Sequence, residues 1–425
     1  MQLRYGFRLY PNGPQGSALA RAFGCARVVF NDALRAREEA RAAGLAFVTL
    51  GELSKRLTAA KRTTKRVWLA EVSSVILQQS LRDLDAAYRN FFDGLVGKRP
   101  KTGPPRFKSK RDTRQAIRFT GNGRWKITHG GKLRLPKIGD VTVKWSRGLP
   151  ADPTTVTVVK DSAGRYFASF VIETGPEEVL APTTPEVGVD LGLGHFAVQS
   201  DGRKIDSPRF LRRAEKQLRK AQRSLSRKDK GSANRGKARL RVARAHARVA
   251  DARREFHHQL STQLIRENQA IAVEDLAVKG LARTRLAKSV HDAGWSQFVS
   301  MLEYKASRYG RTFVRIGRFE PTSQVCSDCG IKDGPKPLHI REWTCGACGT
   351  LLDRDINAAV NVAKAAGLAV SARGAQVRPG LVPAQCDEAG THPEPPRSTE
   401  RPTGIAPDKM GEDVNPRALR VAAQC

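Results

Sequence analysis

A chain of 425 residues exceeds what one ordinary core accommodates and calls for roughly two to four domains. Its 75 Lys+Arg against 41 Asp+Glu leave a formal charge of +34. Such a surplus repels itself unless a polyanion neutralises it, which makes nucleic acid the leading partner. No apolar run approaches the roughly 18 residues of a membrane span, and the N-terminus lacks the apolar stretch of a signal peptide, which sets membrane and secreted classes aside.

Residues 1–10 alternate polar and apolar side chains and read as a strand, followed by a turn at Asn12, Gly13 and Pro14. From about Ser17 to Gly97 apolar residues recur at near-helical spacing, as in Leu19 and Phe23 and again in Leu77, Leu81 and Leu84, so helices are expected. Gly97–Lys110, dense in Pro, Gly and Lys, marks a boundary. Between Ile117 and Glu173 the period becomes two, as in Val141–Trp145 and Tyr166–Ile172, the pattern of a small barrel or sandwich. Phe119, Trp125 and Trp145 in this region are assigned to packing, as is Cys25 in the helical part. Pro182 and Pro185 mark a second boundary.

Beyond it, Val187–Leu193 reads as a buried strand ending in Asp190, and Ala270–Glu274 as a second one ending in Glu274. A basic helical hairpin is expected between them, from about Ser207 to Asn268, broken at Lys228–Ser232. A helix over Gly294–Tyr309, a strand over Thr312–Ile316 and a helix over Asp355–Ala366 follow. From Ser371 onward eight of the 23 prolines fall in 55 residues with little periodicity, so a disordered tail is expected over 371–425.

Two constellations carry chemistry. Cys326, Cys329, Cys345 and Cys348 form two CxxC pairs separated by 15 residues, the spacing of a closed four-sulfur zinc site that holds structure together. The remaining cysteines add no disulfide framework, which fits a reducing cytosol. Asp190, Glu274 and Asp355 each end or begin an apolar element in an alternating strand-and-helix region. Oxygen ligands of this kind suit Mg²⁺, and two such ions can activate a water and clamp a phosphodiester. Asp275 should face away from Glu274 because successive strand side chains alternate. Asp353 suits a helix N-cap, and Asn357 is a candidate for orienting metal or phosphate. His195, His257, His258 and His291 have no partner at metal spacing and are assigned surface or packing roles.

The hairpin concentrates positive charge in Arg212, Arg213, Lys216, Arg219, Lys220, Arg223, Arg239 and Arg244, the candidate phosphate-gripping residues. With aromatic residues at only 6%, extensive stacking on single strands is less supported than phosphate binding.

Gly188–Gly192 (GVDLG), Val273–Leu276 (VEDL), Thr322–Gly330 (TSQVCSDCG) and Asp353–Ala359 (DRDINAA) resemble the signature segments of TnpB/OrfB proteins, as do Phe7–Pro11 and Pro105–Lys110. The resemblance runs in order over residues 1–370. It implies a multi-domain α/β protein with an RNase H-like (RuvC) nuclease core, formed by 183–321 and 353–370, in which Asp190, Glu274 and Asp355 bind metal. It further implies a β-barrel wedge domain (1–14 and 111–182), a helical recognition domain (15–110) and a zinc ribbon (322–352). The implied partners are a guide RNA from the 3′ end of a mobile element and double-stranded target DNA, in a prokaryotic cytosol or nucleoid. Two rival readings stay open: a nucleic-acid-binding or accessory transposition protein without nuclease activity, and a transposase performing strand transfer.

Overall fold

The computed structural model describes residues 2–369 apart from 111, 113, 174–178 and 338. The expected disordered tail, with Cys386 and Cys425, lies outside the described residues.

Strand β1 (Gln2–Tyr10) buries every second side chain, as its alternation requires. Asn12 does not make a turn after it. Its side chain accepts from the Gln15 backbone N–H at 2.9 Å while the Gln15 side chain accepts from the Asn12 N–H, a reciprocal cap that starts helix α1 (Gly13–Ala42). Helices α2 (Leu50–Ala60) and α3 (Ser74–Leu95) follow. Buried Arg37 ties α1 to its neighbours, donating to the Val48 carbonyl at 3.0 Å and to Asp85 at 2.9 Å beneath the rings of Phe47 and Tyr88.

Strands β2 (Gln115–Thr120), β3 (Lys126–Ile127), β4 (Leu133–Leu135), β5 (Gly139–Lys144), β6 (Pro153–Lys160) and β7 (Tyr166–Glu173) join β1 in an antiparallel seven-stranded sheet of order β2-β6-β7-β1-β5-β4-β3. One buried cluster runs from Phe7, Phe119 and Phe170 of the sheet to Phe23, Leu77 and Leu81 of the helices, so the sheet and α1–α3 share a core. The Trp125 and Trp145 rings pack on it, each with its indole N–H donated to a backbone carbonyl.

A second sheet has the order β10-β9-β8-β11-β12, built from β8 (Glu186–Asp190), β9 (His195–Gln199), β10 (Lys204–Asp206), β11 (Ala270–Glu274) and β12 (Thr312–Ile316). β8, β11 and β12 run parallel, and β9 and β10 antiparallel. β8 and β11 are continuously apolar because both faces are covered. On one face Val189, Ile271 and Val273 pack with Leu260 and Leu264 of α5 (Ala233–Glu267) and Phe298 and Leu302 of α8 (Trp295–Tyr309). On the other, Ala272 meets Val362 of α9 (Arg354–Ala365).

The basic hairpin is α4 (Phe210–Ser226) and α5, with Ser232 capping α5 through the Arg235 N–H. Of the leucines spaced at seven, only Leu218 is fully buried, against Ala245 and Val249. Two short helices that periodicity does not reveal, α6 (Val278–Leu281) and α7 (Ala287–Ala293), precede α8. Asp292 of α7 is buried and accepts from the Leu211 N–H at 2.8 Å, which supplies from a distance the N-terminal cap that α4 lacks locally. None of the described helices is long and apolar enough to cross a membrane.

Candidate active site and cysteine cluster

Val189 pairs in register with Val273, so Asp190 and Glu274 leave neighbouring parallel strands side by side at the same sheet edge. α9 brings the third carboxylate. Asp353 caps that helix as expected, its Oδ1 accepting from the Asp355 and Ile356 N–H groups at 3.0 Å each, which puts Asp355 in the first turn. Asp275 points elsewhere, paired to Arg318 at 2.5 Å.

The Asp190 residue keeps a partly exposed edge, but its carboxyl is enclosed by protein. Burial pushes its pKa up to about 8, and the charges of Glu274 and Asp355 add to the shift against the opposing effect of Arg354. A buried carboxyl whose ionisation is opposed by the charges of its neighbours belongs to a donor set that a hard divalent cation relieves. They stand wider apart than the cysteines, whose sulfurs are the only set of three or more ligand atoms within 4.8 Å of one another among the described residues. Mg²⁺ keeps several of its waters, so wide spacing suits it.

Other polar groups reach this edge. Thr322 donates to Glu274 Oε1 at 2.5 Å. Arg341 lies 3.3 Å from Asp355, Lys204 pairs with Asp353, and His195 Nδ1 lies 3.7 Å from Asp355. His195 thus approaches the Asp355 carboxylate, a proximity that no spacing rule in the sequence reveals. Asn357 departs from expectation in the opposite direction. It is fully buried, with its amide engaged by the backbone of Thr322, Val325 and Ser327.

The cysteines lie on two matching turns. In each, the first cysteine's carbonyl accepts at 2.9 Å from a glycine four residues on, Gly330 or Gly349, whose positive φ lets the chain reverse. Strands β13 (Glu342–Thr344) and β14 (Leu351–Asp353) form the accompanying hairpin, and Trp343 and Leu352 pack with Val360 of α9. Cys326–Cys348 and Cys329–Cys345 Sγ atoms are 3.7 Å apart. Sulfurs about 2.3 Å from a tetrahedral zinc would lie about 3.8 Å from one another. The four residues fit that ion.

All eight candidate phosphate-gripping residues of the hairpin are exposed, with Arg212 held by Ser289 and Arg219 by Glu215. A second basic surface escaped the sequence reading because its residues are scattered along the chain. A cleft of about 1400 Å³ separates β1 and β7 from α5 and α8. Arg4, Arg114, Arg147 and Arg308 line it and have no ion pair among the described residues; Arg165 beside them is neutralised by Asp161 and Asp251.

Three family models match the chain: a probable transposase family, OrfB of IS605 type, over residues 169–285; a Cas12f1-like TNB domain over 295–362; and a helix-turn-helix domain over 1–45. Residues 2–45 nevertheless hold one strand and one unbroken helix. A Streptomyces pristinaespiralis protein named "Putative RNA-guided DNA endonuclease" is 44% identical over 403 residues, covering 93% of this chain and 96% of the relative. InsQ of Escherichia coli K12, with the same description, is 32% identical over 392 residues, 88% of this chain and 95% of that one. The fold matches that of Cas12f1 in a cryo-EM complex with sgRNA and target DNA, at a TM-score of 0.50 and 14% identity over 81% of this chain and 82% of that one. Identity of 44% across nearly the whole of both chains places this protein in the TnpB/OrfB family.

Proposed function

We propose that this protein is an RNA-guided DNA endonuclease that hydrolyses phosphodiester bonds at a divalent-metal site formed by Asp190, Glu274 and Asp355. The observation that carries the reading is the convergence of three carboxylates from β8, β11 and α9, close enough that Glu274 and Asp355 raise the pKa of Asp190. The strand order β10-β9-β8-β11-β12, with three parallel strands and α9 on the face opposite α5 and α8, supports an RNase H-like (RuvC) core. The seven-stranded sheet then serves as the wedge, α1–α3 as the recognition domain, and residues 322–352 as a structural zinc ribbon.

Two Mg²⁺ ions at this edge would activate the attacking water and stabilise the leaving oxygen of an in-line displacement. Asp190, Glu274 and Asp355 hold the site, while Arg341 is placed to meet a phosphate oxygen beside Asp355. Pairing between guide and target supplies the sequence, and the protein grips backbone through the exposed hairpin and the basic cleft. The names of the relatives support guide RNA and target DNA as partners.

The test is to express the gene with its native downstream DNA, sequence the RNA that co-purifies, and offer a matching duplex with Mg²⁺. One discrete RNA that directs cutting supports the proposal. A smear of host RNA, with no guided cutting, rejects it in favour of plain nucleic-acid binding or strand transfer.

A further inference from the structure

Thr322 lies four residues before the first cysteine of the cluster and is only 7% exposed. Its hydroxyl donates to Oε1 of Glu274 at 2.5 Å, and a carboxylate can only accept, so the direction of this bond is fixed. The hydroxyl is itself held in place. The Thr322 N–H donates to the Glu320 carbonyl at 2.9 Å, and the Thr322 carbonyl accepts from the Asn361 amide at 2.8 Å. Asn357 and Asn361, one turn apart on α9, both donate to the Val325 carbonyl, at 2.8 and 2.7 Å. Asn357 Oδ1 accepts from the Ser327 N–H at 2.7 Å, and Lys364 continues the row onto the Ser327 carbonyl.

The first cysteine turn is thus bolted to one face of α9, the helix that carries Asp355, and reaches across to Glu274 at the end of β11. β11 and α9 belong to different, adjoining layers of the fold, and nothing in the backbone pairing of the sheet sets the rotamer of a glutamate at a strand end. Thr322 is the link that does so: Glu274 is oriented by Thr322, Thr322 by Asn361, and Asn361 stands on the helix of Asp355.

We infer that Thr322 is a positioning residue for the proposed metal site and that the cysteine ribbon, through it, sets Glu274 against Asp355. This rests on the reading of the three carboxylates as that site. The ribbon then does more than stabilise its own fold, because any change that shifts its first turn alters the ligand geometry. A group that holds a metal-ligating side chain without touching the metal affects affinity or activity by about 10–100-fold in comparable sites.

The experiment compares the full-length RNA complexes of Thr322→Val, which keeps the shape and removes the donor, Thr322→Ser, which keeps the donor, and Glu274→Gln. Cleavage rate is measured against Mg²⁺ concentration, Mn²⁺ binding by electron paramagnetic resonance without substrate, and zinc content and melting temperature alongside. The inference expects Thr322→Val to raise the Mg²⁺ needed for half-maximal cutting about tenfold or more and to weaken Mn²⁺ binding in parallel. Zinc content and melting should stay at wild type, and Thr322→Ser should recover most of the loss. Wild-type metal dependence in Thr322→Val, beside an inactive Glu274→Gln, overturns the inference and leaves the site reading standing. Loss of zinc or of melting temperature in both threonine variants assigns the residue a purely structural role and also overturns it. Normal cutting by Glu274→Gln removes the site reading, and the inference with it.

Discussion

A Cβ added at Gly188 would lie 2.5 Å from the backbone nitrogen of Ala363, and 2.9 Å from that residue's own Cβ, so α9 can cross β8 only over a residue without a side chain. This close approach, two residues before Asp190, brings the helix of Asp355 to the strand of Asp190.

Gly188→Ala should therefore push α9 outward. Because the clash is with backbone, it cannot be relieved by a rotamer change, and a loss of about 3 kcal/mol in stability is expected. Thermal melting with and without Mg²⁺ checks this: the variant should melt lower and lose the metal-dependent rise expected of the wild-type site.

Removing zinc should unfold the ribbon locally, since the cysteine turns have few apolar contacts beyond Trp343, Leu352 and Val360. Cys326→Ser should lower zinc from the expected one ion per chain towards none, together with the melting temperature and solubility. Elemental analysis and calorimetry on the same sample decide the point, and unchanged values in both would overturn the zinc assignment.

His257 gives a pH dependence of known sign. It is fully buried beside Arg253, its Nε2 bonded to the Ala293 carbonyl at 2.9 Å, and burial pushes its pKa down to about 4. The unfolded chain binds that proton near pH 6.5, more readily than the folded one. Its contribution is thus intact above pH 6.5 and lost as pH falls from there through 4, by up to about 3 kcal/mol. His257→Gln, which keeps a donor for Ala293 and does not titrate, should flatten the acid limb of the melting-versus-pH curve relative to wild type.

The two basic surfaces can be separated by salt. Replacing Arg4, Arg147 and Arg308 of the cleft with glutamine should weaken RNA binding and lower the slope of log K against log salt by about 0.7 per phosphate contact removed. The same measurement on Arg212, Arg213 and Lys216 of the hairpin reports how many of those exposed charges meet the RNA. No change in slope from the cleft set would exclude it as a phosphate site.

Local signals account for what was legible in the sequence. Apolar runs ending in Asp190 and Glu274 announced two strands, the paired CxxC spacing announced the cluster, and Asp353 announced the start of α9, because each depends on neighbours within a few residues. Groups that meet only through the tertiary fold were not legible. Thr322 and Glu274 are 48 residues apart, and His195 of β9 reaches Asp355 of α9. Asp292 caps α4 from 81 residues away. Gly188 looked like part of a strand, and only the path of α9 shows why no side chain fits there. Asn357 was misread for the same reason: its position near Asp355 along the helix suggested the site, yet it faces the ribbon.

The most direct test of the account is guided cleavage by Asp190→Ala, measured as a purified RNA complex on a matching duplex in saturating Mg²⁺. Removing the carboxylate at the centre of the trio should cut the rate by on the order of a thousandfold or more while RNA and target binding persist. Wild-type cutting by that variant would contradict the assignment of the site.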